Sequence, residues 1–239
     1  MRRRPIVAID GPAASGKSTT AQAVARELGF CHVDSGAVYR VLTLLAGERL
    51  GPPAAWDAAA IVAEGRARRL AAAPRGTTLE ITVGGTPVGE AIRSAAVTAE
   101  VSRVAAMPAV RDFVNELLRE AAREGGVVMD GRDIGTVVFP DAEVKIFLVA
   151  NAGERARRRL LERGAVPDAC ALRSEAEALL ARDGRDAGRE VAPLRPAPDA
   201  VALDTTGLSF GEQVRRVVAL VRAGWSDPSL DRPDTRGYA

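Results

Sequence analysis

Two lysines stand out in a chain whose other basic residues are all arginine: Lys17 and Lys145, among 33 Lys and Arg residues. Lys17 lies in Gly11-Pro12-Ala13-Ala14-Ser15-Gly16-Lys17-Ser18-Thr19, which matches GxxxxGK[ST], the pattern of a phosphate-cradling loop. Gly11 and Gly16 let the backbone wrap an anion with its N–H groups, and a helix starting near Lys17 aims its positive end at the same point. By this chemistry Lys17 reaches the β- and γ-phosphates of a nucleoside triphosphate, and the Ser18 hydroxyl is the candidate Mg²⁺ ligand. Acid–base or metal chemistry based on histidine has almost no material, because His32 is the single histidine.

A nucleotide loop alone does not specify what is done with the nucleotide. A guanine-reading NKxD is excluded because neither Lys follows an Asn, and an LSGGQ-type transporter signature is absent. What remains is arginine where a second phosphate would have to be held. Arg132 sits in Asp130-Gly131-Arg132-Asp133, directly after an apolar run, at the edge where α/β sheets bind ligands. Arg40 follows Asp34-Ser35-Gly36, and Arg182, Arg185, Asp186 and Arg189 recur at i, i+3, i+4 and i+7. On a helix those four form one polar stripe, either a clamp for transferring phosphoryl groups or a solvated, salt-bridged face. Arg155, Arg157, Arg158 and Arg159 read more simply as a solvated helix, with a mobile lid as the second reading.

The elements that must position these residues alternate in type. Arg4 to Asp10 is a short buried-strand run closed by Gly11-Pro12, and Ala21, Val24, Ala25 and Leu28 have helical spacing stopped by Gly29. Further strand-like runs fall at Val127 to Met129, Val144 to Val149 and Ala200 to Leu203. Pro108 opens a helix carrying Val110, Phe113, Val114, Leu117, Leu118 and Ala121, with Gly125-Gly126 as its stop. Ser209 and Glu212 form a capping box for a last helix stopped at Gly224. This alternation predicts an α/β fold built on a parallel sheet. Thr77 to Val83 breaks it with a period of two before Gly84-Gly85, so residues 66–104 are expected to form a small antiparallel β insert. The polar stretch from 226 to 239 is expected to be a loosely held tail.

At 239 residues, 47% hydrophobic and 27% charged, the chain is long enough to bury roughly 70% of its unfolded surface without staples. A mean hydropathy of −0.01 excludes wholly disordered and collagenous classes. Cys31 and Cys170 lie in no metal-binding spacing and are expected to be reduced and inert. No apolar stretch approaches 18 residues and no signal peptide is evident, which gives the expectation of a cytoplasmic protein with no membrane partner. The net charge of +2 gives no basis for a nucleic-acid partner.

Taken together, VAIDGPAASGKSTTAQAVARELGF, DSGAVYR, DGRDIGTVVFPDAEVKIFLVA and RDGRDAGREVAPL closely resemble the bacterial cytidylate (CMP/dCMP) kinase family over nearly the whole chain. The resemblance implies a P-loop NTPase fold: a three-layer α/β/α core with a five-stranded parallel sheet over residues 1–65 and 105–225. It also implies that the insert at 66–104 binds the nucleoside monophosphate and that residues 151–190 form a helical lid. It further implies transfer of the ATP γ-phosphoryl to CMP or dCMP with Mg²⁺, by a monomer. Gly11 to Thr19 would bind ATP. Ser35, Arg40, Arg132 and Arg189 would surround the CMP phosphate, Ser102, Arg111 and Asp133 would read the cytosine edge, and Arg182 and Asp186 would lie at sugar and phosphates. Lys17, Arg132, Arg182 and Arg189 would be the catalytic set. A P-loop kinase with another acceptor (UMP, AMP or a small metabolite) and a nucleotide switch without turnover stay open as alternatives.

Overall fold

The computed structural model describes residues 4–226; the stretch expected to form a loose tail lies outside the described residues save for its first position. Strand β1 (Arg4–Asp10) runs through the middle of the molecule. Ile6 and Ala8 project into one core cluster and Val7 and Ile9 into another, so both faces of the strand are buried and the run reads as continuously apolar.

Five strands pair in parallel, in the order β2 (Cys31–Asp34), β6 (Gly125–Gly131), β1, β7 (Val144–Val149), β8 (Val201–Asp204). One face is covered by α1 (Lys17–Leu28) and α8 (Phe210–Ser226), whose Val24, Val214, Val217 and Val221 meet Val128, Ile146 and Leu148. The other is covered by α2 (Ser35–Arg49), α3 (Ala58–Ala67), α4 (Ala95–Val104) and α5 (Pro108–Ala121), packed around Leu42, Phe113, Leu118 and Met129. These are the three layers expected of the P-loop fold.

The expected antiparallel strands are present and continue the parallel sheet. β3 (Leu70–Arg75), β4 (Thr78–Val83) and β5 (Thr86–Pro87) extend the same sheet to eight strands, β4 joining β2 through a single parallel pairing of His32 with Thr78. The His32 N–H donates to the Thr77 carbonyl (2.9 Å), so the hairpin covers a strand edge that would otherwise be bare. β3 hides in the sequence because its Ala-rich stretch carries no β-branched residue. Gly84 and Gly85 both take φ > 0 (60° and 84°), which the tight β4–β5 turn requires. Gly125 and Gly126 also have positive φ, but they open β6 rather than end α5, which stops at Ala121.

Helices α6 (Ala152–Glu162), capped by Asn151, and α7 (Ala169–Ala187), capped by Asp168, pack on each other beside the carboxyl edge of the sheet. Arg155, Ala13, Ala156 and Leu179 fasten them there: Arg155 donates to the Ala13 carbonyl (3.0 Å), and the other three form a small apolar cluster. Leu42 is fully buried and touches both α3 and the centre of the larger core. Leu42→Ala is expected to lower stability by about 2–5 kcal/mol, read as a shift in the urea unfolding midpoint at unchanged slope.

Candidate active site

The loop between β1 and α1 turns on two glycines. A Cβ at Gly11 would stand 2.2 Å from the Leu148 carbonyl oxygen, so the loop can pass β7 only without a side chain, and Gly16 (φ 87°) turns the chain into α1. Ala14 beside them is also left-handed (φ 57°), a local strain held by the surrounding contacts. The Ser15 side chain is fully buried and its Oγ has no partner, while Thr19 Oγ1 donates to the Gly16 carbonyl (2.9 Å). Lys17 Nζ donates to the Pro12 carbonyl (2.9 Å), folding the ammonium back over the loop. Burial, followed by the nearby Arg132, lowers the Lys17 pKa to about 7.

The loop forms one wall of a cleft of about 1350 Å³ at the carboxyl edge of the sheet, lined by α2, β4, α4, α6 and α7 as well. Ala13, Ala14, Gly16, Lys17, Ser18 and Thr19 line it; Gly11, Pro12 and Ser15 do not. Of the other residues singled out in the sequence, Ser35, Arg40, Ser102, Arg111, Arg132, Asp133, Arg182, Asp186 and Arg189 all line this one cleft. Arg185 does not, and is exposed on α7, so for that member of the stripe the solvated reading is the correct one. Arg189 lies just past the end of α7 rather than on it.

Opposite the loop, the guanidiniums are arranged around carboxylates. Asp186 is 1% exposed and accepts from Arg132 Nε (2.9 Å) and Arg189 Nη2 (2.5 Å). Arg40 donates to the Ile92 carbonyl (3.3 Å) and Thr98 Oγ1 (3.0 Å). Arg182, with its Nε buried and unpartnered, is lowered to about 10 by burial and then by Arg132. Arg40, Arg159 and Arg189 shift in the same direction, with burial the first cause in each case. So many cations placed together out of water are suited to polyanionic ligands.

Deeper in the cleft, Arg111 Nη2 pairs with Asp133 while its Nη1 donates to the Ala105 carbonyl (3.0 Å) and its guanidinium lies 5.6 Å from the Tyr39 ring centroid. Burial raises the Asp133 carboxyl, opposed first by Arg111. The pair and the half-buried Ser102 present donors and an acceptor to one space.

Sequence reasoning passed over the carboxylate that organises the loop side. Asp130, at the end of β6 beside β1, accepts from Ser18 Oγ (2.5 Å) through Oδ2 and bonds His32 Nε2 (2.8 Å) through Oδ1. Its carbonyl accepts from Ser35 Oγ (2.7 Å), and Asp34 lies next to it in register. The signal was available: a β-branched run ending in Asp at a carboxyl strand edge. Also missed was Asp183, which accepts from the Ala13 N–H (3.0 Å) and pairs with Arg155; the solvated reading fails for Arg155, which is buried, and for Arg158, which donates to the Ser15 (3.4 Å) and Thr205 (2.6 Å) carbonyls. Sequence separations of 143 and 170 residues put these contacts beyond any local pattern.

Ser18, Asp130 and Asp34 are hard oxygen donors at the mouth of the loop, a set that suits Mg²⁺, which takes few protein ligands and leaves the rest to water and phosphate. No group of three or more His, Cys, Asp or Glu residues gathers among the described residues as a self-contained metal cage.

A phosphate loop at the centre of a parallel sheet, facing an arginine-lined second subsite across one cleft, defines a P-loop nucleotide kinase. The family model described as cytidylate kinase matches residues 7–223, and the chain belongs to the cytidylate kinase family. It is accordingly a nucleoside monophosphate kinase, a phosphotransferase for which the family implies ATP as phosphoryl donor. A cytidylate kinase of Geobacter sulfurreducens is 44% identical over 222 residues, covering 92% of this chain and 94% of the relative. A bifunctional pantoate ligase/cytidylate kinase of Synechococcus is 46% identical over 224 residues, but this chain, 93% covered, spans only 43% of that longer protein. Among solved structures, that of TT1252 from Thermus thermophilus matches with a TM-score of 0.50 at 19% identity, covering 95% of this chain and all of that one, a likeness of fold alone.

The Lys17 ammonium makes a prediction about protons. Burial lowers its pKa to about 7, and the negative charge of a triphosphate beside it would raise that value again, so at pH 8 nucleotide binding is expected to take up a proton. Titration calorimetry in buffers of different ionisation enthalpy reads this directly. The buffer dependence should vanish in Lys17→Met, and its absence in the parent protein would contradict the assignment.

Proposed function

We propose that the protein phosphorylates CMP and dCMP to the diphosphates, with Mg²⁺·ATP as donor. The observation carrying this reading is that one cleft holds both a phosphate loop and, across it, a buried Arg111–Asp133 pair set beyond a cluster of arginines. Cytosine offers acceptors at O2 and N3 and a donor at N4, which Ser102 and Arg111 can donate to and Asp133 can accept from. Uracil would turn a carbonyl towards Asp133 and leave a buried carboxylate facing an acceptor, a mismatch that costs more than a missing contact.

In this reading the chain contributes position and charge rather than a base. The attacking oxygen of CMP is already anionic at neutral pH, so no proton has to be removed, which suits a cleft whose only histidine is tied to Asp130. Arg40, Ser35, Arg132 and Arg189 hold the acceptor phosphate, and Arg182 spans both subsites. Gly11 to Thr19 hold the donor, with Lys17 at its terminal phosphates. Holding two anions in line removes much of the entropic barrier, and fixed cations offset the charge spreading over the transferred group. Ser18 and Asp130 would hold Mg²⁺, which when bound neutralises charge on the donor phosphates. Residues 66–104 serve as the acceptor-binding insert and 151–190 as the lid that keeps water from the donor.

The enzyme is taken to act as a cytoplasmic monomer without nucleic-acid or membrane partners; among the described residues no helix is long and apolar enough to cross a membrane. ADP release from ATP with CMP, dCMP, UMP, AMP or no acceptor tests the reading. Turnover is expected mainly with the two cytosine nucleotides, and Lys17→Ala and Arg132→Ala should each lower kcat/KM by about a hundredfold or more. Equal use of all four acceptors would remove the cytosine assignment, and binding without acceptor-dependent turnover would favour a switch. A light-scattering mass above that of one chain would exclude the monomer.

A further inference from the structure

Asp10 is the last residue of β1, immediately before the phosphate loop, yet its side-chain hydrogen bonds go to another segment. It is 4% exposed, and its two oxygens each accept one backbone N–H: Oδ1 from Ile134 and Oδ2 from Gly135, both at 2.8 Å. These are the first two N–H groups of the single-turn π-helix Ile134–Val138, which has no side-chain cap of its own from Asp133. The turn starts directly after Arg132 and Asp133, so its position fixes where those two side chains enter the cleft. Behind it, Gly135 is pressed between Asp10 and the Lys145 stem, and a Cβ there would lie 3.2 Å from Lys145 Cδ, so the turn has no slack on that side.

We propose that Asp10 is a positioning residue for acceptor selection: it caps the turn at Ile134 and Gly135 and thereby holds Asp133 against Arg111 in the geometry that distinguishes cytosine from uracil. The inference rests on the reading of Asp133 as the group facing the cytosine amine. Keeping a carboxylate in this place is unfavourable. Burial raises its pKa to about 6, and Asp133 nearby pushes the same way, while the two backbone bonds and Lys17 oppose the shift. A buried charge retained against desolvation where a neutral side chain would fit by volume indicates a geometric requirement for two acceptors.

Asp10→Asn tests this with almost no change in shape. The amide has one acceptor oxygen and places an NH₂ against the second backbone N–H, so one capping bond is lost and the turn is displaced. The expected result is an acceptor KM raised about tenfold, an ATP KM within about twofold of the parent, and a CMP-over-UMP ratio of kcat/KM reduced about tenfold. Simple loss of stability would lower the active fraction for every nucleotide equally and leave that ratio alone. Leu42→Ala, destabilised in the packing of α2 on α3 rather than in the capping of the turn, should show this pattern. Asp10→Glu, which keeps both oxygens but sets them one methylene further out, is read in the same way if Asp10→Asn does not fold, and the same loss of selectivity is expected.

Asp133→Asn is measured alongside. If it relaxes the CMP-over-UMP ratio and the Asp10 variants do so too, the proposal stands. If Asp133→Asn relaxes the ratio and the Asp10 variants leave it unchanged, Asp10 has no part in selection and the proposal is overturned while the reading of Asp133 survives. If Asp133→Asn itself leaves the ratio unchanged, the cytosine-edge assignment fails and the Asp10 proposal falls with it.

Discussion

Buried positive charge sets the terms for everything else in this molecule. Arg182, Arg132, Arg189, Arg40 and Lys17 converge on one cleft, where burial first and the neighbouring Arg132 second lower both Lys17 and Arg182. Asp186 holds Arg132 and Arg189 in place and Asp133 holds Arg111, while among the described residues Arg182 and Arg40 have no carboxylate hydrogen-bonded to them in the same way. The architecture around the cleft follows from this requirement: three layers bury the strands well enough to support such a site, and the carboxyl edge gathers loops from β1, β2 and β6 and the α6–α7 pair onto it. Charge accumulated in this way favours the binding of anions, and in the mechanism proposed above it takes the place of a general base.

Legibility in the sequence followed the range of the interactions. The phosphate loop was readable because its constraint is local: two glycines, a lysine and a hydroxyl in nine residues, between a strand and a helix. The central strands were readable because burial on both faces leaves an unbroken apolar run, as at Ile6 to Ile9. The Arg182–Arg189 stripe was ambiguous because helical spacing fixes a face but not what that face meets. Arg182 and Asp186 turned out to look into the cleft and Arg185 into solvent. The long-range partners were not readable at all. Nothing near Ala13 announces that its N–H and C=O are both taken by α6 and α7, and nothing near Asp10 announces that it caps a turn 124 residues away.

The antiparallel strands show a different limit. β4 was visible through its alternation, but its partner β3 is Leu70-Ala71-Ala72-Ala73-Pro74-Arg75, a composition that intrinsic preference assigns to helix or loop. It becomes a strand because β4 offers it six register partners, a tertiary decision that overrides local preference. The same hairpin pairs with the parallel sheet at one residue pair only, a backbone seam at His32 and Thr78 that is backed by the burial of Leu70 and Ile81 in the main core.

That seam also makes His32 useful in another way. As the single imidazole of the chain, seated on Asp130 and lining the cleft, it yields one pair of ring-proton resonances that need no assignment experiment. The protein therefore carries an intrinsic spectroscopic reporter linked to the β1–α1 loop through Asp130 and Ser18 and to the hairpin through Thr78.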